Sequence, residues 1–232
     1  LSAAHACPFP TPNTEYVFAA SRFSAPVPNR YVKVEDYAKE FRGIIAGIKV
    51  DPKDGTMSMG FEILMPPFNW DLADAGKGPS HGSEFFTCYN SEMAFDSLEV
   101  KASQAEMDFV AAVDWRAAQK AVDEGKAKMI GGAPVLDPQQ VKGIVYLIPV
   151  PKSPHGVDVN PSGEYICASG KLQADVSVYS FAKMKAAIDG GKFDGDRMGV
   201  PVLKYEDVLE ATVPVGLGPL HTQFDDKGNA YT

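Results

Sequence analysis

Two histidines in this chain stand in matching surroundings, and a repeated imidazole is the group whose type and spacing could do chemistry. His155 follows Ile148-Pro149-Val150-Pro151-Lys152-Ser153-Pro154, and His221 follows Val213-Pro214-Val215-Gly216-Leu217-Gly218-Pro219-Leu220. In each copy a Pro-Val pair ends a strand-like run, and a short Pro-containing link leads to the histidine. An Asn/Asp-x-x-Gly turn follows (Asn160 to Gly163, Asp225 to Gly228), and a tyrosine stands ten residues after the histidine, at Tyr165 and Tyr231. A looser copy opens the chain, where His5 precedes the turn Thr11-Pro12-Asn13-Thr14 and Tyr16, eleven residues on. Three imidazoles at equivalent places in repeated units would be brought together by symmetry. Neutral imidazole suits copper, zinc, iron and nickel, and the absence of a carboxylate or thiolate beside these histidines in the sequence tilts the choice to copper. The alternative is that repeated histidines fix the packing of the units by hydrogen bonds; spacing alone leaves both open.

The elements that must position these residues are short strands. Ile44 to Val50 and Thr56 to Leu64 flank the turn Asp51-Pro52-Lys53-Asp54-Gly55, a hairpin signal. Phe85 to Tyr89, Asp108 to Val113, Ile144 to Val150, Tyr165 to Ala168 and Val176 to Tyr179 read as further strands. Helices are few: Val34 to Phe41, Trp115 to about Asp123 capped by Asp114 and closed by Gly125, and one after the cap Ser180 that ends at Gly190-Gly191. Pro66 to Gly82, rich in Pro, Gly and Asp, is expected to be a long surface loop carrying His81, which lacks the repeat context and reads as an exposed loop histidine. The pattern is not the regular alternation of a doubly wound sheet, and no phosphate-cradling glycine motif occurs. The fold class expected is all-β: part of a β-propeller, whose units run to about 40 to 50 residues, with short helical insertions. His155 and His221 lie 66 residues apart, one unit enlarged by the helix after Ser180, and His5 lies 150 residues before His155, about three units.

Composition excludes several classes. With 45% hydrophobic and 22% charged residues, the 232-residue chain can bury a core. A formal net charge of -8 with scattered Lys and Arg argues against a nucleic-acid partner. No apolar run approaches the roughly 18 to 20 residues of a membrane span. Cys7, Cys88 and Cys167 are far apart, form no C-x-x-C pair and read as buried thiols, although His5-Ala6-Cys7 has the form of a ligand pair.

Beyond these features, Gly216-Leu217-Gly218-Pro219-Leu220-His221-Thr222, Phe224-Asp225 and Gly228-Asn229-Ala230-Tyr231-Thr232 resemble the signature of nitrous-oxide reductases. So do Pro149-Val150-Pro151-Lys152 with Pro154-His155-Gly156, Gly170-Lys171-Leu172 and Cys88-Tyr89-Asn90-Ser91-Glu92, in order along the whole chain. The resemblance implies that residues 1–232 are an internal segment of a single seven-bladed propeller, incomplete at both ends, with a cupredoxin domain carrying a dinuclear copper site elsewhere. The start at Leu1 and the stop at Thr232, straight after a repeat tyrosine, fit that expectation.

The resemblance further implies a four-copper, sulfide-bridged cluster on seven histidines, of which His5, His155 and His221 would be three. The implied reaction is the two-electron, two-proton reduction of nitrous oxide to dinitrogen and water, in the periplasm, by a head-to-tail homodimer. A small c-type cytochrome or cupredoxin would donate electrons, and an assisting lysine would fall past Thr232. It also implies calcium, held by the Tyr89 carbonyl and the Glu92 and Asp108 carboxylates, oxygen ligands suited to a hard cation. Ser153 stands where the family often has asparagine. The long segment before His81 and the helix after Ser180 resemble the atypical branch. A reading from another class is a non-enzymatic propeller scaffold whose histidines only pack.

Overall fold

The hairpin expected around Asp51 to Gly55 is the centre of the first sheet in the computed structural model, which describes residues 9–92 and 103–232. Here β1 (Phe9–Pro10), β2 (Tyr16–Ala20) and β3 (Ala25–Pro26) lead through a 3-10 turn and the single-turn helix α1 (Tyr37–Glu40) into β4 (Phe41–Val50) and β5 (Met57–Met65). Gly55 makes the turn possible with φ 76°, a backbone region that glycine enters without steric cost.

The second sheet begins with β6 (Asn69–Ala75), β7 (Ser83–Asn90) and β8 (Met107–Asp114). The chain then leaves through α2 (Trp115–Asp123) and the hairpin β9 (Lys128–Ile130) and β10 (Ala133–Leu136), and returns as β11 (Val145–Pro151). The third sheet repeats the plan. After β12 (Pro154–Val159), β13 (Tyr165–Gly170) and β14 (Asp175–Ser180), the chain leaves through α3 (Phe181–Asp189), β15 (Phe193–Arg197), β16 (Val200–Leu203) and α4 (Tyr205–Val208). It returns as β17 (Leu209–Pro214), and β18 (Gln223–Phe224) with β19 (Ala230–Tyr231) begins another unit.

Three antiparallel four-strand runs therefore follow one another: β1-β2-β4-β5, β6-β7-β8-β11 and β12-β13-β14-β17. The described residues are 48% strand and 15% helix, so the chain is mostly β, and they do not close a ring. In each excursion the second hairpin strand docks parallel on the outer strand of the preceding sheet, Val135 opposite Glu62 on β5 and Val202 opposite Leu147 on β11. The repeat is thus longer than its histidines. Asp114 and Ser180 cap the two helices by accepting from Ala117 N and Lys183 N, and Pro134-Val135-Leu136 returns as Pro201-Val202-Leu203. Val141 and Val208 both close the excursion as buried residues.

The middle sheet is covered on both sides because strand side chains alternate between faces. Phe86, Ala111 and Val113 join the core shared with the first sheet, while Phe85, Val110 and Ala112 join the core shared with the third. The inner strands β6 and β12 are neighbours, which sets the address of the site.

The expected surface loop from Pro66 to Gly82 is corrected by β6, buried through most of its length with Trp70 fully enclosed. Its acids misled the reading, since an aspartate on a buried strand is tolerable only with partners. Asp74 has them: its Oδ2 accepts from Lys77 Nζ at 2.9 Å and from Val159 N at 2.7 Å, which staples β6 to β12.

Candidate metal centre

His155 and His221, 66 residues apart in sequence, meet in space. Their ring centroids are 5.2 Å apart and the planes stand at 90°. His155 lies within β12 itself, where the register against β13 shifts between Pro154 and Val157, an irregularity of the kind that re-aims a side chain. Its carbonyl accepts from Thr87 Oγ1 at 2.9 Å, which fixes this end of β12 to the middle of β7.

His221 arrives on the link between β17 and β18, and glycine makes room for it. Gly156 N donates to Leu220 O at 2.7 Å, and a Cβ on Gly156 would stand 2.2 Å from that oxygen and 2.6 Å from His221 Nδ1. No other residue type fits there without moving the link. Asp158 then orients the ring: its Oδ2 accepts from Thr222 N at 2.6 Å, and its Oδ1 lies 3.2 Å from His221 Nδ1. Burial pushes the Asp158 carboxyl above the ordinary range; the Thr222 amide and His221 pull it back, and Asp74 adds to the rise. With Nδ1 turned to the carboxylate, Nε2 is left for a ligand, the arrangement by which carboxylates commonly orient metal-binding imidazoles. His221 borders a cavity of about 330 Å³ lined by the Val215–Leu220 link and Thr232.

The carboxylate corrects one expectation, that no acid stands beside these histidines. Asp158 does, as a hydrogen-bond partner of the ring. It lies three residues beyond His155 within the same repeated motif, so the signal was in the sequence. His5 and Cys7 lie outside the described residues. Among the described residues no three His, Cys, Asp or Glu side chains are grouped as a metal site, so His155 and His221 form a two-imidazole pair. That pair fits copper in chemistry: two imidazole nitrogen donors, one of them held by a carboxylate behind it.

His81 stands apart from the pair. Arg116 Nη2 lies 2.8 Å from its Nδ1, and Arg116 Nη1 donates to its carbonyl at 2.9 Å. A guanidinium can only donate, so Nδ1 accepts and Nε2 carries the proton, 2.9 Å from Glu15 Oε1. The ring also meets Trp115 edge to face. His81 is therefore a half-buried clamp between β2's leading turn and α2 rather than an exposed loop histidine. The thiols are equally remote from ligation: burial pushes Cys88 well up and Cys167 up to about 12, so both stay protonated.

The residues expected to hold calcium are placed, and several of their oxygens accept hydrogen bonds from the chain. Tyr89 O accepts from Ser153 Oγ at 2.7 Å and from Ser103 N at 3.3 Å. Asp108 is fully buried; Oδ1 accepts from Ser91 N and Ser91 Oγ, and Oδ2 accepts from Ser153 N at 2.7 Å. Glu92 Oε2 accepts from Gln104 N at 3.0 Å. A calcium ion needs about six to eight oxygen ligands, and among the described residues it would have to compete with these donors.

No protein-family model matches the chain. Among curated proteins, it is 35% identical over 227 residues to the nitrous-oxide reductase of Stutzerimonas stutzeri, covering 95% of this chain and 33% of that protein. The similarity is to nitrous-oxide reductases. The nitrous-oxide reductase of Pseudomonas fluorescens is 32% identical, with the same coverage, so the chain spans about a third of the length of the curated relatives it matches. Among solved structures, Kuenenia stuttgartiensis hydrazine synthase superposes with a TM-score of 0.54 at 12% identity, over 95% of this chain and 53% of that one, a likeness of fold alone. No helix among the described residues is long and apolar enough to cross a membrane.

Proposed function

We propose that this chain supplies part of the copper site of a nitrous-oxide reductase, with His155 and His221 as copper ligands and His5 as a third. The observation that carries the reading is the meeting of two repeat-equivalent imidazoles, one oriented by Asp158, in a chain 35% identical to such an enzyme along nearly its whole length. The chain's residues have separable tasks. Thr87 holds the backbone of His155, Gly156 admits the link that carries His221, and Asp158 with Thr222 fixes that link and the ring together.

When bound, copper in a sulfide-bridged cluster would supply electron-rich centres for an inert, weakly coordinating triatomic molecule. The overall reaction takes nitrous oxide, two electrons and two protons to dinitrogen and water. The three successive four-strand runs, repeating with their excursions, support a propeller, seven-bladed by the family resemblance, within which the histidines would line the axis. A periplasmic homodimer, served by a small c-type cytochrome or cupredoxin, completes the reading. Calcium, which the resemblance implies at Tyr89, Glu92 and Asp108, would have to compete with the serine donors on Tyr89 O and Asp108.

The scaffold reading rests on one observation, that the His155–His221 edge contact and the Asp158 bond would also serve packing alone. Nitrous-oxide-dependent oxidation of a reduced viologen, measured on the full-length protein purified without oxygen, separates the two; residues 1–232 alone, about a third of the relatives' length, are expected to be inactive. Turnover that disappears in a folded His155→Ala, His221→Ala variant supports the reductase. A copper-supplied parent without turnover supports the scaffold.

A further inference from the structure

A second site lies away from the histidines, at the edge of the first sheet. A cavity of about 240 Å³ between α1, the start of β4 and the β9–β10 hairpin is lined by Arg30, Lys39, Arg42, Lys126 and Lys128. Five of the chain's 22 lysines and arginines thus surround one small space in a protein of net charge -8. Composition does not account for that.

The local pairing leaves the surplus in place. Arg30 pairs with Glu40, and Lys126 with Glu124 at 2.6 Å. The ammonium groups of Lys39 and Lys128 have no hydrogen-bond or ion-pair partner among the described residues. The half-buried Arg42 directs Nη1 to Lys39 O and Phe41 O, both at 2.7 Å, and no described carboxylate reaches its guanidinium. The remaining acid on the lining, Asp137, accepts from Gln139 N through Oδ1. Burial lowers the pKa of Arg42, with Asp137 and Glu40 opposing. A guanidinium withdrawn from water without an anion is unfavourable, and its planar fork matches two oxygens of a phosphate or carboxylate.

We infer that this cavity binds a compact multivalent oxyanion, seated on the Arg42 fork and flanked by Lys39 and Lys128. The cations ring a small space instead of running along a face, which suits a small molecule better than an acidic protein surface or a nucleic-acid backbone. The site shares no residue with the histidine pair, so its failure and the failure of the copper reading are distinguishable.

The test is titration calorimetry of the purified protein at low ionic strength with inorganic pyrophosphate and, separately, citrate, which distinguishes phosphate from carboxylate ligands. One saturable site for one of the two is expected. Affinity should fall about tenfold or more in the Lys39→Gln, Lys128→Gln variant, whose exposed side chains leave folding intact, and further in Arg42→Gln. Absence of saturable binding to both probes overturns the inference, as does equal affinity in the double lysine variant. Binding only to an acidic polypeptide such as poly-glutamate would reassign the site to a protein partner and overturn it too.

Discussion

Gly156 and His221 are fitted to one another: a Cβ on the glycine would stand 2.6 Å from the ring nitrogen Nδ1. The His155 ring is brought to 5.2 Å from the His221 ring on the strength of that missing methyl group. Gly156→Ala is therefore expected to displace the link Leu220 to Thr222 and to lower stability by about 1 to 3 kcal/mol, the range for overpacking a well-filled position. Thermal unfolding checks the cost, and loss of the His155–His221 contact in a crystal structure checks its cause. An unchanged melting temperature with both rings in place would refute the fit.

Asp158 offers a second handle on the same ring. Asp158→Asn keeps the shape but makes the partner of Nδ1 ambiguous, since an amide can donate as well as accept. Nitrogen NMR of His221 should show a defined tautomer, protonated on Nδ1, in the parent, and a mixed population in the variant. The same tautomer in both would mean that Asp158 does not orient the ring.

The pair was legible in the sequence because His155 and His221 share flanking Pro-Val pairs and a tyrosine ten residues on. Asp158 was legible in principle, yet nothing local distinguishes a carboxylate that reaches a distant histidine from one that points to water. The buried strand β6 was hidden for the same reason. Asp71 and Asp74 look solvent-seeking until Arg22, 3.7 Å from Asp71, and Lys77 on Asp74 are seen. The docking of Val135 on β5 and Val202 on β11 was harder still, since parallel pairing between residues 73 and 55 positions apart leaves no local mark, although Pro-Val-Leu recurs in both.

Glu84 should give stability a distinct pH dependence. It is fully buried, neither carboxylate oxygen has a hydrogen-bond partner among the described residues, and burial with nearby Asp74 pushes its pKa well up while Lys77 opposes. Its folded pKa lies above the unfolded one, so its contribution is fully present below the ordinary carboxylate value and is lost as pH rises towards the folded pKa. Relative to the parent, Glu84→Gln should gain about 1.4 kcal/mol per pH unit through that window. Urea unfolding of both proteins between pH 4 and pH 8 reads the slope; parallel curves would mean that Glu84 is ionised when folded.

At the Tyr89–Asp108 position, added calcium is expected to leave the melting temperature unchanged, because Ser91, Ser103 and Ser153 already donate to these oxygens. Ser153→Ala should lower stability by about 1 to 2 kcal/mol by removing a buried donor to Tyr89 O. A calcium-dependent rise in melting temperature, absent after chelation, would show that the serines yield to the ion.

The central claim is that the two repeat histidines are ligands, and copper content tests it most directly. Copper per chain should be measured on the full-length protein matured with a copper supply and purified without oxygen, for the parent, His155→Ala, His221→Ala and the clamp variant His81→Ala, with circular dichroism confirming the fold of each. The account expects copper in the parent and in His81→Ala, and loss of the cluster's share in both other variants. Equal copper in all four folded proteins would contradict it and leave His155 and His221 as packing residues.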